Sequence, residues 1–366
     1  MEIVRKFKSI ELFAFTYCST ITIGVTFLPY MNHLEVRSAW LKLFVGVVPY
    51  FILLLLIKQF TQKYESYDFF AELKNLIWKP IFYVIISYFI VSAFLVTHYN
   101  LEALALLSNT YLLPNSDLWL ITLLFLLVVI VGLLYGIAAI SRFLVALVFF
   151  EFLLIIAVVA LMFTDYFKWI NIPPVWTTDT ITFLKSSITD MIRYGGIVAL
   201  LGFLPFIKKG TSILKPMAIA LFLIAVTFIS ISLVVLGTFG FDQALTLFSP
   251  ITAVIQSIPT RTGVIERLDL FFLGFWIIAY YKLVVIQLWF LQFLMNKVYP
   301  EKKQGLYIIT IVGLLFLVTT ITPSFIEQQW LPLIYNQVVY TNLLPVALLL
   351  LLIFKKSKGA DQSESA

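Results

Sequence analysis

The chain has 366 residues, of which 61% are hydrophobic and only 12% are charged. A soluble domain carries roughly 25% charged residues, so this composition excludes a soluble fold and predicts an all-α integral membrane protein. The lysines behind the net charge of +6 cluster between the apolar runs, so they indicate membrane orientation and not a nucleic-acid partner.

Ten apolar runs are predicted to cross the bilayer as helices, and they are labelled spans 1 to 10 in chain order. They cover residues 10–30, 39–57, 81–108, 118–137, 142–164, 186–206, 217–239, 268–293, 305–322 and 332–354. Together they form a single polytopic membrane domain, 1–366. Its polar tail, 355–366, is expected to be disordered in the cytoplasm.

An even number of spans places both termini on one side of the membrane. Seventeen of the 25 lysines and arginines lie on that side, six lie on the opposite side or its edges, and Arg193 and Lys282 lie within spans. The positive-inside rule therefore predicts cytoplasmic termini. The basic start resembles a signal peptide, but no convincing cleavage site follows, so span 1 is predicted to be an uncleaved helix.

Chemistry that needs a cofactor or a metal finds little support in the sequence. Cys18 is the only cysteine, which excludes an intrachain disulfide and a cysteine-based metal site. Two histidines are too few for a histidine cluster, and the chain has no nucleotide-binding loop, zinc signature or catalytic triad pattern. The sequence therefore predicts neither an enzyme nor a cofactor.

Span 1 contains the stretch Thr20–Pro29, with three threonines, Gly24 and a terminal proline. This composition predicts an interrupted helix. The alternative is that the threonine hydroxyls simply bond back to their own helix.

The inner segment 58–80 has apolar residues at helical spacing and predicts a short amphipathic helix on the membrane surface or a docking face for a partner. The outer segments 165–185 and 240–267 are rich in proline, threonine and aromatic residues. They are candidates for gates or partner-binding surfaces, and the second is predicted to contain a short helix over the outer mouth.

His98 and Glu102 are four residues apart, so they share one face of span 3. Counting along the span places Glu102 near the outer interface. The pair is therefore interpreted as a hydrated interfacial pair, with a proton relay at Glu102 as the alternative.

Ser186–Pro205 is long enough to cross a bilayer but contains Asp190, Arg193 and the paired glycines Gly195 and Gly196. Each glycine weakens a helix by roughly 1 kcal/mol relative to alanine. An interrupted helix in lipid is tolerated where it lines a cavity, which points to a transporter-type binding site. The alternative is a kinked span whose glycines permit close helix packing.

Glu151 in span 5 lies about 13 Å from the inner side, and Lys282 in span 8 lies about 9 Å from it, by the ~1.5 Å rise per helical residue. A lone buried carboxylate is costly, so Glu151 should be protonated, paired or facing water. Opposite charges at similar depth predict a Glu151–Lys282 pair. Snorkelling of Lys282 to the inner interface is the competing explanation.

Phe248–Phe272 reads FSPITAVIQSIPTRTGVIERLDLFF, and four of its residues match a pattern of a proline, a short helix and an Ile-Glu-Arg-like motif entering span 8. The matching residues are Pro250, Glu266, Arg267 and Asp269. With them the chain resembles the spore germinant-receptor B-subunit family. Weaker matches are Leu28-Pro29, Ser141-Arg142, Pro174-Val175 and Leu204-Pro205-Phe206.

That family looks like a branch of the amino acid–polyamine–organocation transporter superfamily. The resemblance implies a LeuT-like fold of two inverted five-span repeats, spans 1–5 and 6–10, with spans 1 and 6 unwound around a ligand. It also implies assembly with an A-subunit and a lipoprotein C-subunit in the inner membrane of Gram-positive spores. The expected role is sensing a small nutrient such as an amino acid.

The chain departs from the family at positions that bear on its ligand. Thr22 stands where the family has the first glycine of a Gly-x-Gly in span 1, and the apolar Ile197 and Val198 stand where an acidic residue is common. The ligand is therefore expected to be different or less polar. In related cation-independent transporters a buried lysine replaces a sodium ion between spans 1, 5 and 8, and Lys282 is a candidate for that role.

The leading hypothesis is a transporter-like receptor subunit whose ligand lies mid-membrane between spans 1 and 6. The candidate ligand-binding residues are Thr22, Ile23, Gly24, Val25, Tyr194, Gly195, Gly196, Ile197, Val198 and Leu201. The alternative is a proton-coupled amino-acid transporter with Glu151 or Glu102 as relay. A membrane polysaccharide polymerase or flippase is a remote alternative, because the outer segments are short and contain few arginines.

Overall fold

The computed structural model describes residues 6–26, 37–174, 179–257, 268–299, 304–322 and 331–355. Over these residues the chain is helical, and the extended pairing is one isolated bridge between Phe7 and Ile207. The all-α prediction is therefore confirmed. Glu266 and Arg267 of the family motif lie outside the described residues, as do Pro29 and most of the C-terminal tail.

Seven helices of the described chain are long and apolar enough to cross a membrane. They are Ala39–Lys63, Lys79–Tyr111, Gly136–Phe163, Thr180–Phe206, Leu214–Phe239, Leu270–Val298 and Tyr335–Phe354. The shorter apolar helices Leu118–Leu134 and Gln304–Ile321 occupy the ranges of spans 4 and 9. Span 1 is divided into the helices Ser9–Cys18 and Ile21–Thr26.

Some helix boundaries differ from the predicted ones. Span 3 runs from Lys79 to Tyr111, and span 5 begins at Gly136 and not at Arg142. Gly136 has a φ of 73°, in the left-handed region that favours glycine, so the chain turns there two residues after the end of span 4. The apolar pattern does not show this turn because helix continues on both sides of it.

The short inner helix Phe69–Leu76 begins at Asp68, whose side chain accepts a hydrogen bond of 3.0 Å from the Ala71 N–H. The aromatic rings and the leucine on its apolar face, Phe69, Phe70 and Leu73, are fully buried. They pack against Phe60 of span 2, Phe89 of span 3 and Phe290 of span 8. The predicted short helix is therefore present, and the chain's own spans cover its apolar face.

The helices pack in a pattern that relates the two halves of the chain. Span 2 packs against span 7, span 3 against span 8 and span 4 against span 9, so each helix meets the one five positions later. Span 1 lies against spans 5 and 7. Two interlocked five-span halves would produce these pairings, but the division into repeats stays a prediction.

The segment after span 7 forms two short helices, Phe241–Ala244 and Pro250–Gln256. The second begins at Pro250, a favoured first helical residue because proline has no N–H to leave unbonded. Its buried face packs against the second half of span 1 and against spans 7 and 8. This helix therefore touches the segment of span 1 that follows the interruption.

Candidate functional site: the crossing of spans 1 and 6 and its buried charges

The interruption of span 1 lies at Ser19 and Thr20, between its two helices. The hydroxyls of both residues donate to the carbonyl oxygen of Thr16, at 3.1 Å and 3.2 Å. Side chains that bond to the preceding turn compete with the backbone of a continuing helix. Both sequence interpretations therefore hold, because the hydroxyls bond back and the helix is interrupted.

Span 6 is interrupted over a longer stretch. The α-helix Thr180–Asp190 is followed by the 3₁₀ segment Met191–Ala199, which contains both glycines, and then by the short helix Leu200–Phe203. Runs of 3₁₀ helix longer than three or four residues are uncommon and often mark strain or a hinge. The predicted discontinuity of span 6 is therefore present.

The two interruptions are in direct contact. A β-carbon built on Gly196 would overlap the carbonyl group of Ser19, and one built on Gly195 would lie 2.7 Å from Cγ2 of Thr341 in span 10. The glycines thus let span 6 approach the backbone of span 1 and a side chain of span 10. The second interpretation of the glycine pair was close helix packing, and the glycines do allow it at this crossing.

The candidate ligand-binding side chains described by the structure are all buried at this crossing. Val25, Ile197, Val198 and Leu201 are apolar, and Thr22 donates its hydroxyl to the Ala279 carbonyl of span 8 at 3.2 Å. Ile23 and Gly24 belong to the helix Ile21–Thr26, but their side chains lie outside the description. Ligand binding by these residues stays a prediction.

Tyrosines tie the 3₁₀ segment of span 6 to span 2. The Tyr194 hydroxyl donates to the Leu43 carbonyl at 3.0 Å, and the Tyr50 hydroxyl donates to the Met191 carbonyl at 2.8 Å. Tyr50 also lies 2.8 Å from the hydroxyl of Thr341, within the π-helical turn Val339–Leu343 of span 10. Three spans are therefore connected at the interruption of span 6.

Asp190 and Arg193 form part of a buried charged cluster at the start of that segment. Arg193 Nε donates to Asp190 Oδ1 at 2.6 Å, and Lys42 Nζ lies 3.1 Å from Asp190 Oδ2. Lys42 also donates to Ser186 Oγ at 2.9 Å. All three charged side chains are at most 2% exposed. The cluster joins span 2 to span 6.

Glu151 and Lys282 form the predicted ion pair between spans 5 and 8. Lys282 is fully buried, so snorkelling to the inner interface does not occur. Its ammonium group lies 5.7 Å from the centroid of the Tyr17 ring. Tyr17 and Cys18 end the first helix of span 1, so the pair lies beside the interruption of that span.

His98 and Glu102 differ from the prediction of a hydrated interfacial pair. Both side chains are buried, and His98 Nε2 lies 4.0 Å from Glu102 Oε2. The imidazole also contacts the hydroxyls of Thr319 and Thr322 at 3.0 Å and 3.3 Å. The pair therefore joins span 3 to the end of span 9 inside the bundle.

Of the family-motif residues, Pro250 is buried at the start of its helix, and Asp269 lies on the first turn of the helix Leu268–Val298 without a described side chain. Sequence reasoning missed Lys42, Tyr17, Tyr50 and Thr341. Lys42 was assigned to the outer edge of span 2, although a lysine at the fourth residue of an apolar run is a candidate for a buried ion pair.

Comparison with known proteins identifies the family. A model of the family described as spore germination protein matches residues 6–326. The chain belongs to this family. It is also 23% identical over 358 residues to the spore germination protein GerLB of Bacillus cereus, covering 96% of each chain. The match supports a permease-like germinant-receptor role for a multi-pass membrane protein, and the family is not a known enzyme class.

Proposed function

We propose that this chain is the nutrient-binding, transporter-like subunit of a spore germinant receptor. By the family resemblance its ligand is a small nutrient of the amino-acid class, held mid-membrane between spans 1 and 6. The observation that supports this proposal is the contact of the two interrupted segments at Gly196 and Ser19. Interrupted helices that face each other are the usual architecture of a transporter substrate site.

The burial of this crossing constrains how a ligand would enter. Val25, Ile197 and Val198 are at most 4% exposed, so spans 1 and 6 have to separate before a ligand reaches them. A ligand that binds only the separated arrangement shifts the population toward it. The helix Pro250–Gln256 contacts the helix Ile21–Thr26 of span 1 and would carry the change to the outer surface.

The proposal assigns signalling to partner subunits. The family resemblance suggests a germinant-receptor A-subunit and a lipoprotein C-subunit as those partners, in the inner membrane of a Gram-positive spore. Both termini would lie in the cytoplasm, because the larger share of lysines and arginines is on their side. The partner subunits would respond to the separated arrangement of spans 1 and 6, and their response would trigger germination.

A proton-coupled amino-acid transporter is the second candidate, and one observation favours it. The Glu151–Lys282 pair lies beside the interruption of span 1, where a change in protonation would act directly on the crossing. Within the described residues, Glu151 Oε2 is buried and makes no hydrogen bond.

Liposomes containing the purified protein separate the two candidates. Binding and uptake of each of the twenty labelled amino acids would be measured with and without an inward proton gradient. Saturable binding without flux supports the receptor, and gradient-driven accumulation supports the transporter. Absence of both with partner subunits also present would contradict an amino-acid ligand.

The single cysteine allows the location of the site to be tested separately. In a Cys18→Ala background, Val198→Cys places one thiol at the crossing and Asn115→Cys places one in the exposed outer turn after span 3. The bound amino acid should change the rate of maleimide labelling at position 198 severalfold and leave position 115 unchanged. An equal rate at position 198 with and without a saturating ligand would place the site elsewhere.

A further inference from the structure

Two adjacent grooves lie at the inner end of the bundle and share Tyr67. The first, of about 650 Å³, is lined by Lys6, Glu65 and Lys209 among others. The second, of about 600 Å³, lies between the end of span 2 and the start of span 7 and contains Lys58 and Lys215. We name the second one the Lys58–Lys215 groove.

The lysines of the two grooves differ in their contacts. Lys209 pairs with Glu65 at 2.9 Å, and Lys6 donates to the Pro205 carbonyl at 2.8 Å. The ammonium groups of Lys58 and Lys215 make no hydrogen bond or ion pair with the described residues. The Lys58–Lys215 groove therefore presents two cationic groups whose charge the described protein does not neutralise.

The rim of this groove has a defined shape. The N-terminal segment holds the connection between spans 6 and 7 through two backbone hydrogen bonds of 2.9 Å, from Phe7 to Phe206 and from Lys208 to Phe7. Gly210, with a φ of 80°, then turns the chain, and Thr211 N–H donates to the Lys208 carbonyl at 3.1 Å. This turn brings Thr211 and Ser212 to the lining.

Each lysine of the groove stands at the end of an exposed apolar stripe on its helix. On span 2 the stripe consists of Phe44, Val48, Ile52 and Leu55, and Lys58 follows it. On span 7 Lys215 precedes a stripe of Ile219, Phe222 and Val226. Spacings of three and four residues place each stripe on one helix face. The two helices pack against each other, so the stripes run from the groove toward the membrane interior.

We propose that the Lys58–Lys215 groove binds the phosphate headgroup of an anionic phospholipid, with the acyl chains along the two apolar stripes. A basic pocket between spans at the membrane surface suits an anionic headgroup. The adjoining stripes favour a lipid over a soluble anion or an acidic peptide, because neither of those would cover the apolar surface. This site is separate from the crossing of spans 1 and 6 and goes beyond the proposed function.

The first test uses the full-length protein in an uncharged detergent and measures binding of phosphatidylglycerol and phosphatidylcholine by native mass spectrometry. Replacing Lys58 or Lys215 by glutamine should lower the preference for phosphatidylglycerol about fivefold each, and both together about 25-fold. Lys209→Gln is the matched control and should leave the preference unchanged, because Glu65 already pairs with Lys209. An unchanged preference in the double variant would overturn the proposal.

The second test uses the unaltered protein, so it tests lipid binding at the Lys58–Lys215 groove even where a variant fails to fold. A photoactivatable phosphatidylglycerol should crosslink to residues 44–58 and 211–226, and a zwitterionic analogue should do so several times less. Crosslinks confined to other segments, or equal labelling by both lipids, would contradict the site. Competition by soluble glycerol phosphate as effective as that by the lipid would show a soluble phosphate site instead.

Discussion

The crossing of spans 1 and 6 and the Glu151–Lys282 pair both lie beside the interruption of span 1, but they are held together by different forces. At the crossing, Gly196 meets the carbonyl group of Ser19, and the contact involves no charge. At the pair, two opposite charges join spans 5 and 8 in a buried setting. The first region depends on shape and the second on electrostatics.

This difference decides which substitutions each region tolerates. A close-packed backbone contact accepts no additional atom, because both sides are main chain and neither can rotate away. A buried ion pair accepts the joint removal of its charges better than the removal of one, because a stranded charge is the costly species.

The largest effect is expected for Gly196→Ala. The new methyl group would overlap the Ser19 carbonyl, so the crossing has to open, and we expect a loss of about 3 kcal/mol or more in the free energy of unfolding. Thermal unfolding in mild detergent measures it. Gly274→Ala is the control, because nothing lies within 4 Å of the added atom in span 8, and it should cause no loss.

Gly196→Leu is a weaker test of a ligand cavity between spans 1 and 6. Because Gly196 contacts Ser19, this substitution disrupts packing whether or not a ligand binds there. A stable, normally folded Gly196→Ala protein would show that the crossing is looser than the structure indicates.

The second effect concerns the Glu151–Lys282 pair. Lys282→Met strands the Glu151 carboxylate in a buried setting, and we expect destabilisation of about 3–5 kcal/mol. The double variant Glu151→Gln with Lys282→Met should be less destabilised than Lys282→Met alone. Unfolding of all four proteins in one double-mutant cycle gives the coupling energy.

The same four proteins also distinguish a structural role of the pair from a role in proton-coupled transport. If the losses of stability in the two single variants simply add in the double variant, the coupling energy is zero. That result would contradict a functional pair. If the double variant recovers its stability but loses gradient-driven uptake, the pair takes part in proton coupling. Recovery of both stability and ligand response would assign the pair to structure alone.

The sequence predicted the Glu151–Lys282 pair because helical rise converts residue number into depth at a fixed ~1.5 Å per residue. The interruptions were predictable for a similar local reason, since paired glycines and clustered hydroxyl residues weaken a helix where they stand. Features that depend on local composition and spacing could therefore be predicted from the sequence.

Features that depend on which distant segment packs against a helix could not be predicted from the sequence. The apolar face of Phe69–Leu76 has the same pattern whether lipid or protein covers it, so the sequence did not show that spans 2, 3 and 8 do. Lys42 meets Asp190 of a distant span, and no spacing rule links them. Thr341, within the π-helical turn Val339–Leu343, likewise meets Tyr50 of span 2, a contact that no local spacing links.

A third, smaller effect is expected at Gly195. Its added β-carbon would lie 2.7 Å from Cγ2 of Thr341, a side chain that can adjust, so Gly195→Ala should cost about 1–2 kcal/mol. Thr341→Ser removes that methyl group and keeps the hydroxyl near Tyr50, so it should restore most of the loss. Thermal unfolding of the single and double variants measures the recovery. No recovery would mean that the strain lies elsewhere in the 3₁₀ segment.

A fourth effect concerns the Tyr50 hydroxyl at the interruption of span 6. Tyr50→Phe removes the donor to the Met191 carbonyl and the contact with the Thr341 hydroxyl, and it should cost about 1 kcal/mol in the free energy of unfolding. Tyr83→Phe in span 3 is the control, because the Tyr83 hydroxyl makes no hydrogen bond with the described residues and its ring is 40% exposed. Equal unfolding temperatures for the two variants would show that these contacts contribute little.

The smallest effect is expected at the exposed Glu65–Lys209 pair, which supplies an electrostatic reference for the buried one. The Lys209 ammonium lowers the pKa of the Glu65 carboxyl below its usual range. Its stabilising contribution is therefore present above the unfolded-state pKa and lost as pH falls through the lower folded-state value. Both side chains are well exposed, at 66% and 93%, so water screens the pair. Lys209→Gln should leave the unfolding temperature at neutral pH nearly unchanged and remove only this acid-side dependence. A loss as large as that of Lys282→Met would mean that burial does not set the strength of ion pairs in this protein.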